Sequence, residues 1–219
     1  MGSVISRATA AEGNALRPEP VRLALVAPYA PSIVSFRGAL IHTLVQNGAQ
    51  VWVFAPDYTP AIREQIRLLG AIPIDYPMDR TGTNPFNDLR TLWSLFCMLK
   101  QLRPDVVLSY NIKPVIYGSL ASWVAQCPKR VAWINGLGYN FTTDKRIGLK
   151  RRMLRRVVRA IYRLALRTTD VVFFQNPDDL SEMARLGIVQ LEKARLVGAS
   201  GVDLNEWLPS PAVVNPVTF

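Results

Sequence analysis

The sequence predicts an α/β fold, a doubly wound parallel sheet, and three features point to it. Short apolar runs rich in β-branched residues alternate with helical stretches, the pattern of successive βαβ units. Two such runs, Val106–Ser109 and Arg130–Ile134, lead straight into polar loops, Tyr110-Asn111-Ile112-Lys113 and Asn135-Gly136-Leu137-Gly138-Tyr139. Glycines stand where helices should stop, as at Gly48 and Gly70.

In chain order, residues 1–20 read as a disordered leader and Val21–Ala27 (VRLALVA) as a buried strand. A turn rich in Pro and Ser follows, then a helix from Phe36 to about Asn47 that should bury Phe36, Leu40, Ile41, Leu44 and Val45. Gln50–Ala55 is the next strand, Pro60–Leu69 a helix and Ile72–Asp75 a short strand. A loop, Pro77–Asn84, leads to an amphipathic helix, Phe86–Leu102, which Arg103-Pro104 breaks before the Val106 strand. The helix Val115–Ala125 joins the two strands named above. A basic helix from about Ile147 to Arg167 precedes strand Asp170–Phe174, helix Pro177–Leu186 and a last strand, Ala194–Val197. Leu208-Pro209-Ser210-Pro211 reads as a linker, and Val213–Phe219 as the start of a further strand whose domain is expected to have been cut away.

Composition narrows the classes. With 49% hydrophobic residues, the chain can bury one sizeable core. No apolar run approaches the roughly 20 residues a membrane span requires, and the leader lacks the apolar stretch of a secretory signal. Gly2 and Ser6 match an N-myristoylation pattern, one short enough to occur by chance. Cys97 and Cys127 read as small core hydrophobes in a reducing compartment. Two cysteines and one histidine argue against a zinc site, and no metal is expected.

Charge is segregated. Ten of the 26 Lys and Arg residues lie between Lys145 and Arg167 with no acid among them, leaving 16 basic against 16 acidic residues elsewhere. The net charge of +10 therefore resides in that segment. Arg152, Arg155, Arg156, Arg159, Arg163 and Arg167 follow helical spacing, and Leu154, Val157, Val158, Ile161 and Ala165 line the other side. This predicts an element that docks on an anionic membrane surface, each charge contributing about 1 kcal/mol. Nucleic acid is the rival partner, but aromatic interleaving and a recognisable module are missing, so none is expected. A merely solvated face is the other alternative, and ten cations without an acid argue against it.

Both polar loops must emerge at the carboxyl ends of their strands, where open parallel sheets bind ligands. The first turn, Pro28 to Ser35, has no glycine, which argues against a dinucleotide. Ser32, Ser35 and Arg37 can still hold an anion at a helix N-terminus; alternatively, Ser35 merely caps the helix and Arg37 is solvated. Lys113 can neutralise a phosphate or carboxylate, or be an ordinary surface lysine. Gly136 and Gly138 suggest close backbone approach or positive φ, although a plain tight turn also uses them. His42 falls on a polar helix face and is expected at the surface.

The segments SIVSFRGAL, NPFNDLRTL, RPDVVLSYNIKPVIYGSLA, INGLGYNFT and GVDLNEW, in this order, resemble the N-terminal domain of family 4 glycosyltransferases of the bacterial exopolysaccharide, capsule and lipid-linked glycan type. The likeness runs from about Val21 to Trp207. It implies a Rossmann-like domain, the N-terminal half of a GT-B fold, spanning 21–207, with 208–219 as interdomain linker and start of a donor domain. It implies a retaining transferase that passes a sugar from a nucleotide-sugar, a UDP-sugar bound by that other domain, to a lipid-linked or polysaccharide acceptor. Ser35, Arg37, Asn111, Lys113, Asn135, Gly136 and Gly138 should line the acceptor cleft, with no cofactor bound by this half. The histidine many relatives carry after the Val106 strand is replaced by Tyr110-Asn111-Ile112-Lys113, so no catalytic residue is assigned. The expected place of work is the cytoplasmic face of a bacterial plasma membrane. The donor domain would act in cis or in trans; in the second case the chain is a non-catalytic docking subunit, and alone it is expected to be inactive.

Overall fold

The computed structural model describes residues 19–80, 84–137, 148–198 and 201. The expected leader (up to residue 18), Gly138, Lys145, Arg146 and the linker from 208 lie outside the described residues.

Seven strands form one parallel sheet: β1 (Arg22–Val26), β2 (Gln50–Ala55), β3 (Ile72–Asp75), β4 (Val106–Tyr110), β5 (Lys129–Ile134), β6 (Val171–Phe174) and β7 (Ala194–Leu196). Their order is β3-β2-β1-β4-β5-β6-β7. The direction of winding reverses between β1 and β4, and sheets of this kind bind ligands at such a point, outside the carboxyl ends of the strands. Registers such as Val26 beside Ser109 and Ser109 beside Ala132 level those ends.

Helices α1 (Ala30–Gln46) and α2 (Pro60–Leu68) cover one face of the sheet, around Leu25, Val53, Leu108 and Tyr110. On the other face lie α3 (Pro85–Leu102), α4 (Ile112–Val124), α5 (Leu149–Arg167) and α6 (Pro177–Arg185), around Val26, Phe54, Val107 and Phe174. Within this layer α4 packs between α3 and α5. Gly118 lets α4 approach the sheet, since a Cβ there would collide with the buried Ser109 hydroxyl of β4. At the amino ends, Asp105 and Asp170 act alike. Asp105 accepts from the Arg22 backbone and guanidinium, Asp170 from those of Arg130, and each thereby pins a neighbouring strand.

The sequence-based element order holds, with five corrections. Helix α1 begins at Ala30, because Pro31 has the fixed φ that suits a first helical turn, so Ser35 lies inside the helix and caps nothing. Its buried face is set by Ile33, Arg37 and Ile41 at four-residue spacing, so Phe36 is 63% exposed while Arg37 is 3% exposed. Likewise α4 starts at Ile112, taking Lys113 and Pro114 into its first turn. Cys97 is exposed, whereas Cys127 is buried, which pushes its thiol pKa up. His42 lies at the surface as expected.

In α5 the amphipathic face differs from the one predicted. Leu154, Val157 and Ile161 are exposed with Met153 and Leu164, while Tyr162, Ala165 and Leu166 point into the core. Arg155 is 8% exposed and Arg159 half-buried; Arg163 donates to the Leu186 and Gly187 carbonyls that end α6. Spacing alone cannot separate these faces, because a long arginine stem packs like an apolar side chain when its head finds carbonyls. Arg152 and Arg156 remain exposed, flanking the outward apolar stripe. Among the described residues, no helix is long and apolar enough to cross a membrane.

Candidate functional site

Four segments meet at the carboxyl rim beside the switch point. Arg37 comes from the third turn of α1, Tyr110 and Asn111 from the end of β4, Trp133 and Asn135 from the end of β5, and Lys113 from the start of α4. Alternation along the strands puts Tyr110 and Trp133 on the α1 face of the sheet, with Leu108 and Val131.

The Arg37 guanidinium lies over both rings, 4.2 Å from the centre of Trp133 and 4.9 Å from that of Tyr110. It donates to the Phe36 carbonyl at 2.8 Å and to Asn135 Oδ1 at 3.2 Å. Burial lowers its pKa from the usual arginine value, and the neighbouring Tyr110 phenol acts in the opposite sense. Burial also raises the Tyr110 phenol, opposed by the Ser32 hydroxyl and the Arg37 charge. Ser32 nevertheless donates to the Tyr29 carbonyl at 2.8 Å. Among the described residues, the Tyr110 hydroxyl and the Trp133 Nε1 are buried without a well-directed partner. Buried polar atoms of that kind are uncommon in folded proteins.

Asn135 extends the cluster outward, its Nδ2 donating to Asn111 Oδ1 at 3.1 Å. Asn111 precedes α4 with φ 67° and ψ 160°, a conformation that few residues other than glycine adopt. Its side chain is exposed and does not cap the helix.

Lys113 stands at the same rim on the opposite face of the sheet. Its Nζ donates to the Asp79 carbonyl at 2.7 Å and to Asp88 Oδ1 at 3.2 Å. Asn87 donates to Asp79 Oδ2 at 2.6 Å. Lys113 thus fastens the segment after β3 to α3 and α4, and its charge is already met by Asp88. Burial, followed by the hydrogen bond to Asp88, raises the pKa of the nearby Tyr117 phenol.

Of the expected cleft residues, Arg37, Asn111 and Asn135 form one connected cluster. Ser35 is exposed on α1, one residue from the exposed Phe36. Gly136 has no positive φ, and a Cβ there would meet no atom of the described residues within 4 Å. Gly138 lies outside the described residues. The sequence places Tyr110 in the rim loop but singles out neither Trp133 nor the contact of both rings with Arg37. The available signal was an aromatic in corresponding place on adjacent strands, opposite an arginine in phase with the buried face of α1. No group of three or more metal-ligating side chains occurs among the described residues. A recess of about 390 Å³ between Arg22, Lys100, Arg103 and Pro128 opens at the amino ends of the strands, away from this cluster.

Comparison with solved structures shows the same architecture. Acinetobacter baumannii MurG superposes with a TM-score of 0.53 at 17% identity, covering 85% of this chain and 47% of that one. A glycosyltransferase from Rickettsia africae gives 0.56 at 16%, covering 82% and 43%. Neisseria meningitidis UDP-GlcNAc 2-epimerase, solved with UDP-GlcNAc, gives 0.56 at 15%, covering 82% and 47%. These likenesses establish the fold, the Rossmann-like half of a GT-B architecture. In sequence, the chain is 29% identical over 191 residues to the Campylobacter jejuni N,N'-diacetylbacillosaminyl-diphospho-undecaprenol alpha-1,3-N-acetylgalactosaminyltransferase. That match covers 86% of this chain and 49% of the relative, so the chain spans about half the relative's length. Residues 32–199 match the glycosyl transferase 4-like domain, and the chain belongs to that family.

Proposed function

We propose that the protein is the acceptor-binding half of a retaining glycosyltransferase. It holds a polyprenyl-diphosphate-linked sugar while a second domain, in cis or in trans, presents a UDP-sugar. The carrying observation is the Arg37–Asn135–Asn111 cluster at the switch point of the sheet, in a chain of this family. The Campylobacter relative acts on a diphospho-undecaprenol-linked acceptor, which supports the substrate class. This chain's part is to bind and orient the acceptor. Stabilising the departing nucleotide diphosphate is the larger electrostatic task and falls to the donor domain, so the 219 residues alone turn over little or no nucleotide-sugar.

The cleft works at the cytoplasmic face of an anionic membrane. Met153, Leu154 and Val157 near the start of α5, and Phe86, Leu89 and Trp93 near the start of α3, are exposed on one helix layer. Helices that follow parallel strands start at the carboxyl rim, so these side chains flank the mouth. Arg152 and Arg156 border the α5 stripe, matching the charge of anionic headgroups. Docking therefore combines apolar insertion with charge, where the arginine pattern alone suggested charge only.

Flotation with vesicles tests this. The purified chain should bind anionic vesicles carrying a short polyprenyl-diphosphate-N-acetylhexosamine more tightly than the same vesicles without it. It should bind neither UDP-GlcNAc nor UDP-GalNAc measurably. Tight UDP-sugar binding with indifference to the lipid-linked sugar would overturn the assignment. Tighter retention of DNA than of anionic lipid at matched salt would replace the membrane with nucleic acid.

A further inference from the structure

The hydrogen bonds of the rim cluster have a direction. A guanidinium can only donate, so the bond from Arg37 Nη2 fixes Asn135 with Oδ1 toward α1. Its Nδ2 must then face the other way, where it donates to Asn111 Oδ1. With Oδ1 so engaged, Asn111 is left with Nδ2, which donates to no protein group among the described residues, on an exposed side chain at the mouth. The backbone of Asn111 is held at φ 67° and ψ 160°, a conformation costing about 1–3 kcal/mol for a non-glycine residue. Glycine would relieve that strain but would end the chain of bonds at Asn135.

We propose that Arg37, Asn135 and Asn111 form a one-way hydrogen-bond relay that presents Asn111 Nδ2 as a fixed donor to a ligand oxygen without a proton. We assign that oxygen to the diphosphate of the acceptor. Asn135 is the positioning residue and Asn111 the contact. An asparagine free to flip would serve a sugar hydroxyl equally well, because a hydroxyl both donates and accepts. A locked donor favours phosphoryl oxygen, and the positive end of α4 at the same place adds to that preference. The relay rests on the acceptor-half assignment only for the identity of the ligand.

Asn135→Asp separates the relay from a structural role. The carboxylate introduced by this substitution still accepts from Arg37, now as an ion pair, but it can no longer donate to Asn111. Asn111 must then turn its Nδ2 inward and show Oδ1 to the mouth. Titration calorimetry with inorganic pyrophosphate should give at least a tenfold weaker Kd for Asn135→Asp and for Asn111→Asp, while the urea midpoint of Asn135→Asp stays at or above wild type. Binding of free N-acetylglucosamine should change less than twofold. Wild-type pyrophosphate affinity in Asn135→Asp would overturn the relay, and so would failure of the wild type to bind pyrophosphate. Relay-dependent pyrophosphate binding without affinity for the lipid-linked sugar would instead retain the relay and remove the acceptor assignment.

Discussion

The Arg37 guanidinium stands 4.2 Å from the centre of the Trp133 ring, so stacking ties α1 to the end of β5 across the switch point. Both groups are largely removed from water, where such a contact contributes about 2 kcal/mol. Lysine cannot reproduce a flat, forked guanidinium. Arg37→Lys should therefore lower unfolding stability by about 1–3 kcal/mol. In a cycle with Trp133→Leu, urea denaturation should return a coupling of about 1–2 kcal/mol. Additive single effects would mean that the two side chains do not support each other.

Membrane docking should respond to two kinds of substitution. Arg152→Gln with Arg156→Gln removes exposed charge and should weaken binding to anionic vesicles several-fold, most strongly at low salt. Met153→Ser with Val157→Ser removes exposed apolar surface and should weaken binding at every salt concentration. Arg155→Gln should act on stability instead, because that residue is buried. The proposed docking face is wrong if flotation is indifferent to the serine pair.

Gly118→Ala should destabilise the fold by about 1–3 kcal/mol, since the new methyl group collides with the buried Ser109 hydroxyl and crowds its Cβ. Adding Ser109→Ala opens the space, and thermal melts of the double variant should recover much of the loss. A double variant no better than Gly118→Ala would place the strain elsewhere.

Asp105 gives the fold a defined acid sensitivity. Its hydrogen bonds from the Arg22 side chain and then backbone lower its pKa below the ordinary aspartate value. A depressed folded-state pKa adds stability that is fully present above the unfolded value, about 3.9, and is lost as pH falls through the folded one. The urea-midpoint gap between wild type and Asp105→Asn should be largest near neutral pH and narrow below about pH 4. A gap unchanged by acid would show that the carboxylate charge is not what pins β1 to β4.

Lys113→Met should loosen the fastening of the segment after β3, costing about 1–2 kcal/mol because Asp88 then loses its partly buried cation. In a double-mutant cycle, Asp88→Asn should be nearly neutral once Lys113 is gone. An undiminished Asp88→Asn effect would show that the pair is not the fastening.

The alternation of strands and helices, the glycine stops and the breaks at proline were legible in the sequence, because they depend on local periodicity and backbone preference. So was the rim on which Arg37, Asn111, Lys113 and Asn135 stand, since parallel strands must release their loops at one end. Which side chain of α1 enters the core was decided by tertiary structure. Phe36 and Arg37 are neighbours, and helical spacing admits either; Tyr110 and Trp133 on the sheet supply the flat surface that draws Arg37 inward. The same holds in α5, where the terminal carbonyls of α6 take Arg163 and the apolar stripe faces out. The partnership of Lys113 with Asp88 and the orientation of the Asn135 amide likewise depend on residues distant in the chain. Local sequence carries the period of a helix or strand, whereas its phase is set by what the neighbouring elements offer.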